Sequence, residues 1–327
     1  MFCTFSWNSL GGAVVRAFVA VHKDNKIRMA SRSGGAFAAL SRGFLENTHG
    51  SIYGAAIVQD FVVEHIKASN EKELRQLSGA KYVQSNLCKV LPMLKQDFLE
   101  NRDVLFSGTP CQVAAVKELI PSDYSGKVLL VDIVCHSVPS PAIYKKFINQ
   151  YPSVKEFVFR NKRDFGWREN ISTITTQRRK IHTLAYCNLF YNTANMRPSC
   201  YNCPWKAERP GDITIGDCWG VEQVAPDMDD NFGTSVVLTN TDRGQKWWEQ
   251  LCGVMRYKEV DPELVTKQHA LNQPLGLPSN RAKFWYDYHN MPFHVFVKKY
   301  GKMSIKKQIR IVVSGFKTAN KGVHNDQ

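Results

Sequence analysis

The fold is decided by the stretch Asp103-Val-Leu-Phe-Ser-Gly-Thr-Pro-Cys111 and by its counterpart Val128-Leu-Leu-Val-Asp-Ile-Val-Cys135. Each stretch begins with an apolar run that predicts a buried strand, and each strand is followed by a helix. The first helix begins near Cys111, and the second begins near Pro141, since proline is favoured in the first turn of a helix. Continuous apolar strands joined by helices indicate a parallel sheet covered on both faces.

The same alternation of strands and helices extends outward from these two units. It predicts strands at 16–21, 51–59, 61–66, 212–215 and 235–239, and helices at 36–45, 71–77 and 141–151. After Phe157 the sequence becomes polar and β-rich, with a cysteine- and proline-containing excursion over 187–220, and helical segments follow from Arg243. We therefore predict an α/β (α+β) protein: a mainly parallel sheet flanked by helices, with a β-rich, Cys-containing insertion and a helical C-terminal region.

Composition excludes several classes of protein. The chain has 327 residues, of which 43% are hydrophobic and 22% charged, so collagen-like, coiled-coil and wholly disordered chains are excluded. No apolar run approaches the ~20 residues of a membrane span. Lys and Arg are absent before Arg16, which argues against a signal peptide, and we expect a cytoplasmic protein.

Charge is concentrated near the end of the chain. Forty-three basic and 29 acidic residues give a net charge of +14, and residues 298–327 hold eight Lys or Arg and one acid. A nucleic-acid-binding protein usually carries its basic stripe on the folded body, so no nucleic-acid partner is expected. The basic tail is expected to meet an acidic protein, or alternatively an anionic membrane surface through weak contacts.

Two of the nine cysteines occupy equivalent positions. Cys111 and Cys135 each lie just past the carboxyl end of a predicted parallel strand, and ligands of open α/β sheets collect at that edge. Cys111 also opens a helix, where backbone N–H groups and the helix dipole favour a thiolate. The pair predicts one shared site, with two unrelated buried thiols as the alternative.

A second pair forms the motif Cys200-Tyr-Asn-Cys203, with Pro198 before it and Pro204 behind it. Such a pair binds zinc, binds an iron–sulfur cluster or exchanges disulfides. A zinc site would need further ligands, for which Cys187, Cys218 and His182 are available. Alternatively, this loop folds over the strand-end cysteines and completes a set of four sulfurs.

Phosphate binding is suggested by small residues before a helix. The chain has no GxGxxG motif, but Ser-Arg-Ser-Gly-Gly at 31–35, here called the glycine loop, leads directly into a predicted helix whose N–H groups could bind an anion. Lys81-Tyr-Val-Gln-Ser85 and Arg160-Asn-Lys162 add cations and amide donors that would neutralise a pyrophosphate. An ordinary turn and solvated surface charge are the alternatives.

Taken together, these segments resemble one family, the beta subunits of coenzyme F420 hydrogenases and dehydrogenases. The resemblance covers about residues 17–240, in order. The matching pieces are the glycine loop, Ser78-Gly-Ala-Lys-Tyr-Val-Gln-Ser85, Phe106-Ser-Gly-Thr-Pro-Cys-Gln112, Val131-Asp-Ile-Val-Cys-His-Ser-Val-Pro-Ser-Pro141, Phe159-Arg-Asn-Lys162, Phe165-Gly-Trp167, Arg197-Pro-Ser-Cys-Tyr-Asn-Cys203 and Asp212-Ile-Thr-Ile-Gly-Asp-Cys-Trp-Gly220.

The resemblance implies a flavoprotein that holds FAD and a 4Fe-4S cluster. It implies Cys111, Cys135, Cys200 and Cys203 as the cluster ligands. His136, next to one of them, is a weak catalytic candidate that would donate a hydrogen bond to cluster sulfur or flavin, unless it is only a packed loop histidine. The implied flavin contacts are Ser33, Gly34, Gly35, Lys81, Gln84, Ser85, Thr109, Arg160 and Lys162.

The resemblance also implies a function and a division of the chain. We expect an oxidoreductase that passes electrons between a coenzyme F420-like hydride carrier and a one-electron partner. Many relatives begin with a ferredoxin-like segment, here replaced by residues 1–16, so a ferredoxin-like protein is expected as a separate partner. Residues 17–240 would form the oxidoreductase domain, 241–297 a helical extension and 298–327 the basic tail.

Two other functions stay open at this point. Cys218 stands where the family commonly has an aromatic residue, and bacterial members are often linked with surface-polysaccharide synthesis. A redox or accessory enzyme of surface polysaccharide biosynthesis, with an unknown substrate, is therefore one alternative. A zinc-stabilised binding module is an alternative of another class.

Overall fold

The computed structural model describes residues 16–206, 208–266 and 273–302. Over these ranges the strands form one eight-stranded and one three-stranded sheet. The strands are β1 (Arg16–His22), β2 (Ser51–Ile57), β3 (Val63–Ala68), β4 (Val104–Gly108), β5 (Val128–Ile133), β6 (Val154–Val158), β7 (Ser172–Thr176), β8 (Lys180–Thr183), β9 (Ile213–Asp217), β10 (Ser235–Thr239) and β11 (Met255–Val260).

The large sheet has the order β11-β1-β10-β9-β5-β4-β2-β3. Its centre, β9-β5-β4-β2, is paired in parallel, and antiparallel strands are added on both sides. Because β10 is antiparallel to both β1 and β9, strand β1 runs in the same direction as the parallel strands. The carboxyl ends of β1, β2, β4, β5 and β9 therefore share one edge, which we call the carboxyl edge.

Helices cover both faces of this sheet. They are α1 (Asn25–Ala30), α2 (Ala36–Asn47), α3 (Glu71–Leu77), α4 (Val90–Leu99), α5 (Pro110–Lys117), α6 (Pro141–Ile148), α7 (Lys162–Phe165), α8 (Ala185–Tyr191), α9 (Val221–Val224), α10 (Asp242–Glu249), α11 (Pro262–Thr266), α12 (Arg281–Asn290) and α13 (Phe293–Tyr300).

Side-chain alternation along the strands builds the two cores. In β1, Phe18 packs with Phe44 of α2 and Trp248 of α10, whereas Val19 packs on the opposite face with Val221. In β4, Leu105 packs in the same core as Phe18, whereas Val104 and Phe106 pack against α4 and α5 on the opposite face. The α/β class and the helices on both faces are thus confirmed.

The three-stranded sheet β6-β7-β8 belongs to a third core. Phe157 of β6 and Ile174 of β7 pack there with Phe147 of α6, Phe284 of α12 and Phe296 of α13. The β-rich insertion and the C-terminal helices therefore share one apolar core. The start of the basic tail at residue 298 falls inside α13, and residues 303–327 lie outside the described residues, as do residues 1–15.

Two segments differ from the sequence-based expectation. The polar segment after β1, for which the sequence predicts neither strand nor helix, contains α1, because the Asp24 carboxylate caps it by accepting from the Lys26 N–H at 2.7 Å. The extension 241–297, expected to be helical, contains strand β11, which pairs along the whole of β1. Its four central side chains are exposed, as is usual at a sheet edge, so no apolar run announces it.

None of the described helices combines the length and apolarity needed to cross a membrane.

Candidate functional site

The four predicted cluster ligands meet at the carboxyl edge. Cys111 lies in the first turn of α5, after β4, and Cys135 follows β5. Cys200 lies in the 3-10 turn Pro198–Asn202, and Cys203 directly follows that turn. All four line one cavity of about 40 Å³, here called the cysteine cavity, together with Asp132, Trp205, Lys206 and Arg209.

Burial favours the protonated form of two thiols of this cavity, those of Cys135 and Cys200, when no cation is present. It raises the pKa of Cys135 to about 12, and Cys111, Cys200 and Cys203 raise it further, while Lys206 opposes them. Burial likewise raises the pKa of Cys200. The ammonium of Lys206 donates to the carbonyls of Cys135 and His136. A positively charged group bound between the sulfurs would reverse this balance and favour the thiolates.

The zinc alternative finds little support among its suggested ligands. Cys187 and Cys218 are 1% and 0% exposed, packed inside the protein, and His182 bonds Thr173 within the three-stranded sheet. Over the described ranges, no three His, Cys, Asp or Glu side chains are arranged to hold a single metal ion. This includes the four cysteines, which border a shared space instead of converging on one point.

A second group of polar residues at this edge, here called the arginine cluster, comprises Arg32, Arg160 and Asp217 with Tyr82 and Trp167. Arg160 donates from Nη1 to Asp217 Oδ2 and to the Tyr82 hydroxyl oxygen, both at 2.8 Å. Its Nη2 donates to the Trp167 carbonyl at 2.8 Å, and the Trp167 indole donates to Asp217 Oδ1 at 2.8 Å. Burial alone would raise the pKa of Asp217, but the guanidinium groups of Arg160 and Arg32 hold it below its ordinary value.

Lys162 joins the glycine loop to this cluster. It is 5% exposed, and its ammonium donates to the carbonyls of Arg28, Ser33 and Phe232 at 2.5, 3.1 and 2.8 Å. Burial and then the nearby guanidiniums of Arg32 and Arg28 lower the pKa of Lys162 to about 7. Through its bond to the Ser33 carbonyl, Lys162 therefore helps to fix the position of the glycine loop.

The two glycines of the loop play different parts. A Cβ on Gly34 would lie 2.2 Å from the Ala20 carbonyl oxygen, and its N–H donates to Ser235 Oγ at 3.0 Å, so Gly34 allows the loop to pack against β1 and β10. Gly35 adopts φ +96° and begins α2, which has no side-chain cap. The N–H groups of the first turn of α2 are therefore not capped by a side chain.

The segment 81–85 contacts the end of α3 and the helix α5 that bears Cys111. Lys81 donates to the carbonyls that end α3, those of Gln76, Leu77 and Ser78, and burial lowers its pKa to about 7. Gln84 is half-buried, and Ser85 accepts at Oγ from Gln112 of α5 at 3.0 Å.

Thr109 stands at the start of the cysteine helix. It caps α5 in a capping box with Gln112, and its hydroxyl lies 3.2 Å from the Cys111 sulfur. The Gln112 side chain also reaches Ser85, so the segment 81–85 and the cysteine-bearing helix are linked directly.

A row of aromatic rings connects the two groups of residues. The His136 ring lies 6.1 Å from Phe190 and 5.2 Å from Tyr191 between centroids. Phe190 stacks on Tyr82 at 4.4 Å, and the Tyr82 hydroxyl accepts from Arg160. His136, which follows Cys135 in the chain, thus begins the row of rings that leads to the arginine cluster.

Sequence reasoning missed several members of the arginine cluster. Arg32 and Trp167 stood inside quoted motifs but were not singled out, and Asp217 ends β9 at the edge where site residues were expected. A search for charged residues at every strand end would have found Asp217. Nothing in the local sequence indicates Tyr82 or Lys206.

Comparison with known proteins gives a family and a fold. Residues 101–263 match the family described as the C terminus of the beta subunit in coenzyme F420 hydrogenase/dehydrogenase. No curated protein matches the chain significantly. Thirteen chains of solved structures match it. One is from the F420-reducing [NiFe] hydrogenase complex of Methanosarcina barkeri, with a TM-score of 0.57, 20% identity, and coverage of 85% of this chain and 93% of that one.

Proposed function

Because this chain belongs, through residues 101–263, to the coenzyme F420 hydrogenase/dehydrogenase beta-subunit family, and is therefore an oxidoreductase of electron transfer, we propose that it works with FAD and a 4Fe-4S cluster. It passes electrons between a hydride carrier, such as a coenzyme F420-like molecule, and a one-electron partner. The observation that carries the proposal is the meeting of four cysteines, from three separate segments of the chain, in one cavity.

The donor set of the cysteine cavity fits an iron–sulfur cluster. Four cysteine sulfurs are the usual ligands of a 4Fe-4S cluster, which when bound takes and gives single electrons. Cys111 and Cys135 would hold it from α5 and from the end of β5, and Cys200 and Cys203 from the loop of 3-10 turns. That loop is the part of the wall not fixed by a long helix or strand, so we expect it to yield to a group larger than the present 40 Å³.

Residues beside the cavity would adjust the cluster. Lys206 brings a positive charge to the backbone of Cys135 and His136, which would offset the negative charge of the cysteine thiolates that hold the cluster. His136 is the weak candidate for a hydrogen bond to sulfur or flavin, a role that its position between Cys135 and the aromatic row supports.

The arginine cluster and the glycine loop fit the phosphates of FAD. The Nε atom of Arg160 is buried without a hydrogen-bond partner among the described residues, and the first turn of α2 is uncapped. FAD, when bound, exchanges a hydride with the carrier. We propose Ser33, Gly35 and Arg160 as its main contacts, and Lys162, whose ammonium bonds three carbonyls, as the residue that holds the glycine loop in place.

The polar groups of the remaining expected flavin contacts are already hydrogen-bonded to other protein residues or lie close to the Cys111 helix. The N–H of Gly34 is bonded to Ser235 and the ammonium of Lys81 to three carbonyls, so we propose that these two support the loops around the flavin. Gln84, Ser85 and Thr109 would lie on the side of the flavin that faces the cluster, since Ser85 and Thr109 contact the Cys111 helix.

Partners and location follow from the same proposal. The structural neighbour is part of a hydrogenase complex, which supports partner subunits for this chain, and we propose an acidic ferredoxin-like protein as the one-electron partner. All described cysteines are free, as is usual in the reducing cytoplasm, where we expect the protein to act.

Anaerobic purification with quantification of flavin, iron, sulfide and zinc tests the proposal. We expect about one FAD with about four iron and four sulfide per chain. Zinc without iron or flavin would overturn it and favour the binding module. Cofactors that are present but not reduced by any F420-like or nicotinamide carrier would favour the polysaccharide-associated redox enzyme.

A further inference from the structure

A second cavity, of about 500 Å³, lies at the edge of the large sheet opposite to the carboxyl edge. Val128, the first residue of β5, lines this cavity, whereas Cys135 follows the other end of the same strand. The six residues of β5 span roughly 20 Å at the usual rise of a strand. The arginine cluster is also distant, because Asp217 ends β9 on the carboxyl edge. A ligand of this cavity would therefore be separate from both regions described above.

Cations line this cavity from two sides, and we call it the basic cavity. Lys127 comes from the loop before β5, and Arg243 and Lys246 come from α10. Positions 243 and 246 are three residues apart, which places their side chains on one face of the helix. Among the described residues, no Asp or Glu lines the cavity. A concave surface with charge of one sign attracts ligands of the opposite sign, so the basic cavity favours anions.

The protein itself uses only part of this positive charge. Arg243 pairs with Asp212 at 2.9 Å, and its side chain is still 47% exposed. Lys127 donates to the Asn47 carbonyl, at the end of α2, at 3.2 Å. Lys246 is exposed and forms no ion pair within the described ranges. Three cations thus face one carboxylate, and that carboxylate is itself buried.

The lining of the basic cavity also has an apolar part. It comes from Val128 and from Trp247, which is 8% exposed and packs on Phe44 of α2 at 5.3 Å between ring centroids. An inorganic phosphate alone would leave this apolar surface, and most of the 500 Å³, filled with water. Sites for small organic molecules have volumes of roughly 300 to 1,000 Å³ and combine apolar walls with a few charged groups. The cavity therefore suits an anion that also carries a flat apolar group.

We propose that the basic cavity binds a nucleoside phosphate. Its phosphates would lie among Lys127, Arg243 and Lys246, and its base would lie towards Val128 and Trp247. Lysine binds phosphate as a point charge, and the guanidinium of arginine offers several donors to its oxygens. The site goes beyond the proposed function, because the strand-length separation from the cysteines leaves it outside the path of electrons.

Calorimetric titration of the purified full chain with ATP, adenosine and inorganic tripolyphosphate tests the site. We expect ATP to bind more tightly than adenosine or tripolyphosphate, because only ATP has both the charges and the base. The affinity for ATP should fall as salt is added, since ions screen partly exposed charges.

The double variant Lys127→Met with Lys246→Met removes two charges and keeps the length of both side chains. It should weaken ATP binding roughly 5- to 30-fold, the effect of losing two partly exposed charge pairs. Arg243 is left intact, because its removal would leave the buried Asp212 carboxylate without its cation. Both changed residues are exposed, so the melting temperature of the ligand-free variant should stay within roughly 3 °C of the wild type.

Lys258→Met is the matched control. Lys258 is an exposed lysine of β11 outside the basic cavity, and its variant should bind ATP as the wild type does. If ATP does not bind the wild type, or binds the double variant equally well, as it would if it occupied the flavin site, the proposal is wrong. Tripolyphosphate that binds as tightly as ATP would also overturn it, since the base would then contribute nothing. None of these results depends on flavin or iron, so they stand apart from the outcome for the proposed oxidoreductase.

Discussion

The cysteine cavity and the arginine cluster lie on the same edge of one sheet and have opposite electrostatic needs. In the cavity, burial and neighbouring thiols raise the pKa of Cys135 to about 12, so this thiol stays protonated unless a cationic group lies beside it. In the cluster, burial and neighbouring guanidiniums lower the pKa of Arg32 and Lys162, whereas Tyr82 and Asp217 outweigh burial and raise the pKa of Arg160. The cavity thus favours a cationic group beside Cys135, whereas the cluster concentrates cations around the Asp217 carboxylate.

This difference explains how one edge can hold two unlike groups close together. Thiols without charge do not attract a phosphate, and crowded guanidiniums repel a metal ion. The aromatic row from His136 through Phe190 to Tyr82 separates the two regions with apolar rings while keeping them in contact. The cysteine cavity and the arginine cluster are therefore separated by side-chain rings and stay close together.

The largest expected effect tests the cavity side of the comparison. Replacing any one of the four cavity cysteines, for example Cys135→Ser, should abolish the cluster, because a serine in the buried cavity is a much poorer iron ligand. Iron and sulfide per chain after anaerobic purification measure the effect. Cys252→Ser is the control, since Cys252 is exposed and outside the cavity. Full iron content in all four single variants would show that the cavity cysteines do not hold the cluster.

The sequence identifies all four cysteines of the cavity but, of the arginine cluster, only Arg160. Cys111 and Cys135 stand at equivalent positions after consecutive buried strands, and Cys200 and Cys203 form a short motif. The arginine cluster instead joins five segments, and its meaning depends on which donors remain unpaired, a property of the folded protein alone. Strand β11 was missed for a similar reason: its pairing with β1 uses backbone groups, so its charged sequence carries no strand pattern.

The second prediction asks whether Gly34 of the glycine loop serves the anion or the fold. Gly34→Ala should lower the free energy of unfolding by about 3 kcal/mol, because the new Cβ would lie 2.2 Å from the Ala20 carbonyl oxygen and 2.6 Å from the Ser235 nitrogen. Urea unfolding measures it. Gly79→Ala, at φ +83° with no atom within 4 Å of the added Cβ, should lower it by only about 1 kcal/mol. If the two variants were equally stable and Gly34→Ala bound FAD more weakly, Gly34 would be needed for ligand binding and not for packing.

The third prediction uses pH to detect the excess positive charge of the cluster. Lys162 has a pKa of about 7 when folded and about 10.5 when unfolded, so between these values the unfolded chain binds the extra proton. The stability of the wild type relative to Lys162→Met should therefore rise from pH 7 towards pH 10, by at most about 1.4 kcal/mol per pH unit, and should level off below pH 7.

Added pyrophosphate makes this measurement specific to the cluster. An anion beside Lys162 raises its pKa, so the rise in stability above pH 7 should become shallower. Lys81 also has a pKa lowered to about 7 by burial, but it lies among the carbonyls that end α3. The stability difference between wild type and Lys81→Met should keep its pH dependence when pyrophosphate is added. An identical response of both lysines would mean that the anion is not bound in the cluster.

The smallest effect concerns the basic tail and asks which region it serves. Residues 303–327 carry five Lys or Arg and one acid, and deletion after Lys302 removes them without cutting α13. Deletion from residue 298 would also remove Lys299 and Tyr300, which bond Asp287 at 2.6 Å each. The shorter deletion is therefore the cleaner test of charge.

If the tail steers an acidic ferredoxin towards the cysteine cavity, the deletion should slow reduction by that ferredoxin roughly 10-fold at low salt and hardly at all at high salt, because ions screen long-range attraction. Stopped-flow mixing over a series of salt concentrations measures the rate. Pyrophosphate affinity should stay unchanged, since the arginine cluster is buried and its anion contacts are short. A loss of pyrophosphate affinity with an unchanged ferredoxin rate would assign the tail to the arginine cluster. In that case the basic tail would contribute positive charge to anion binding at the arginine cluster, and it would not steer a ferredoxin to the cysteine cavity.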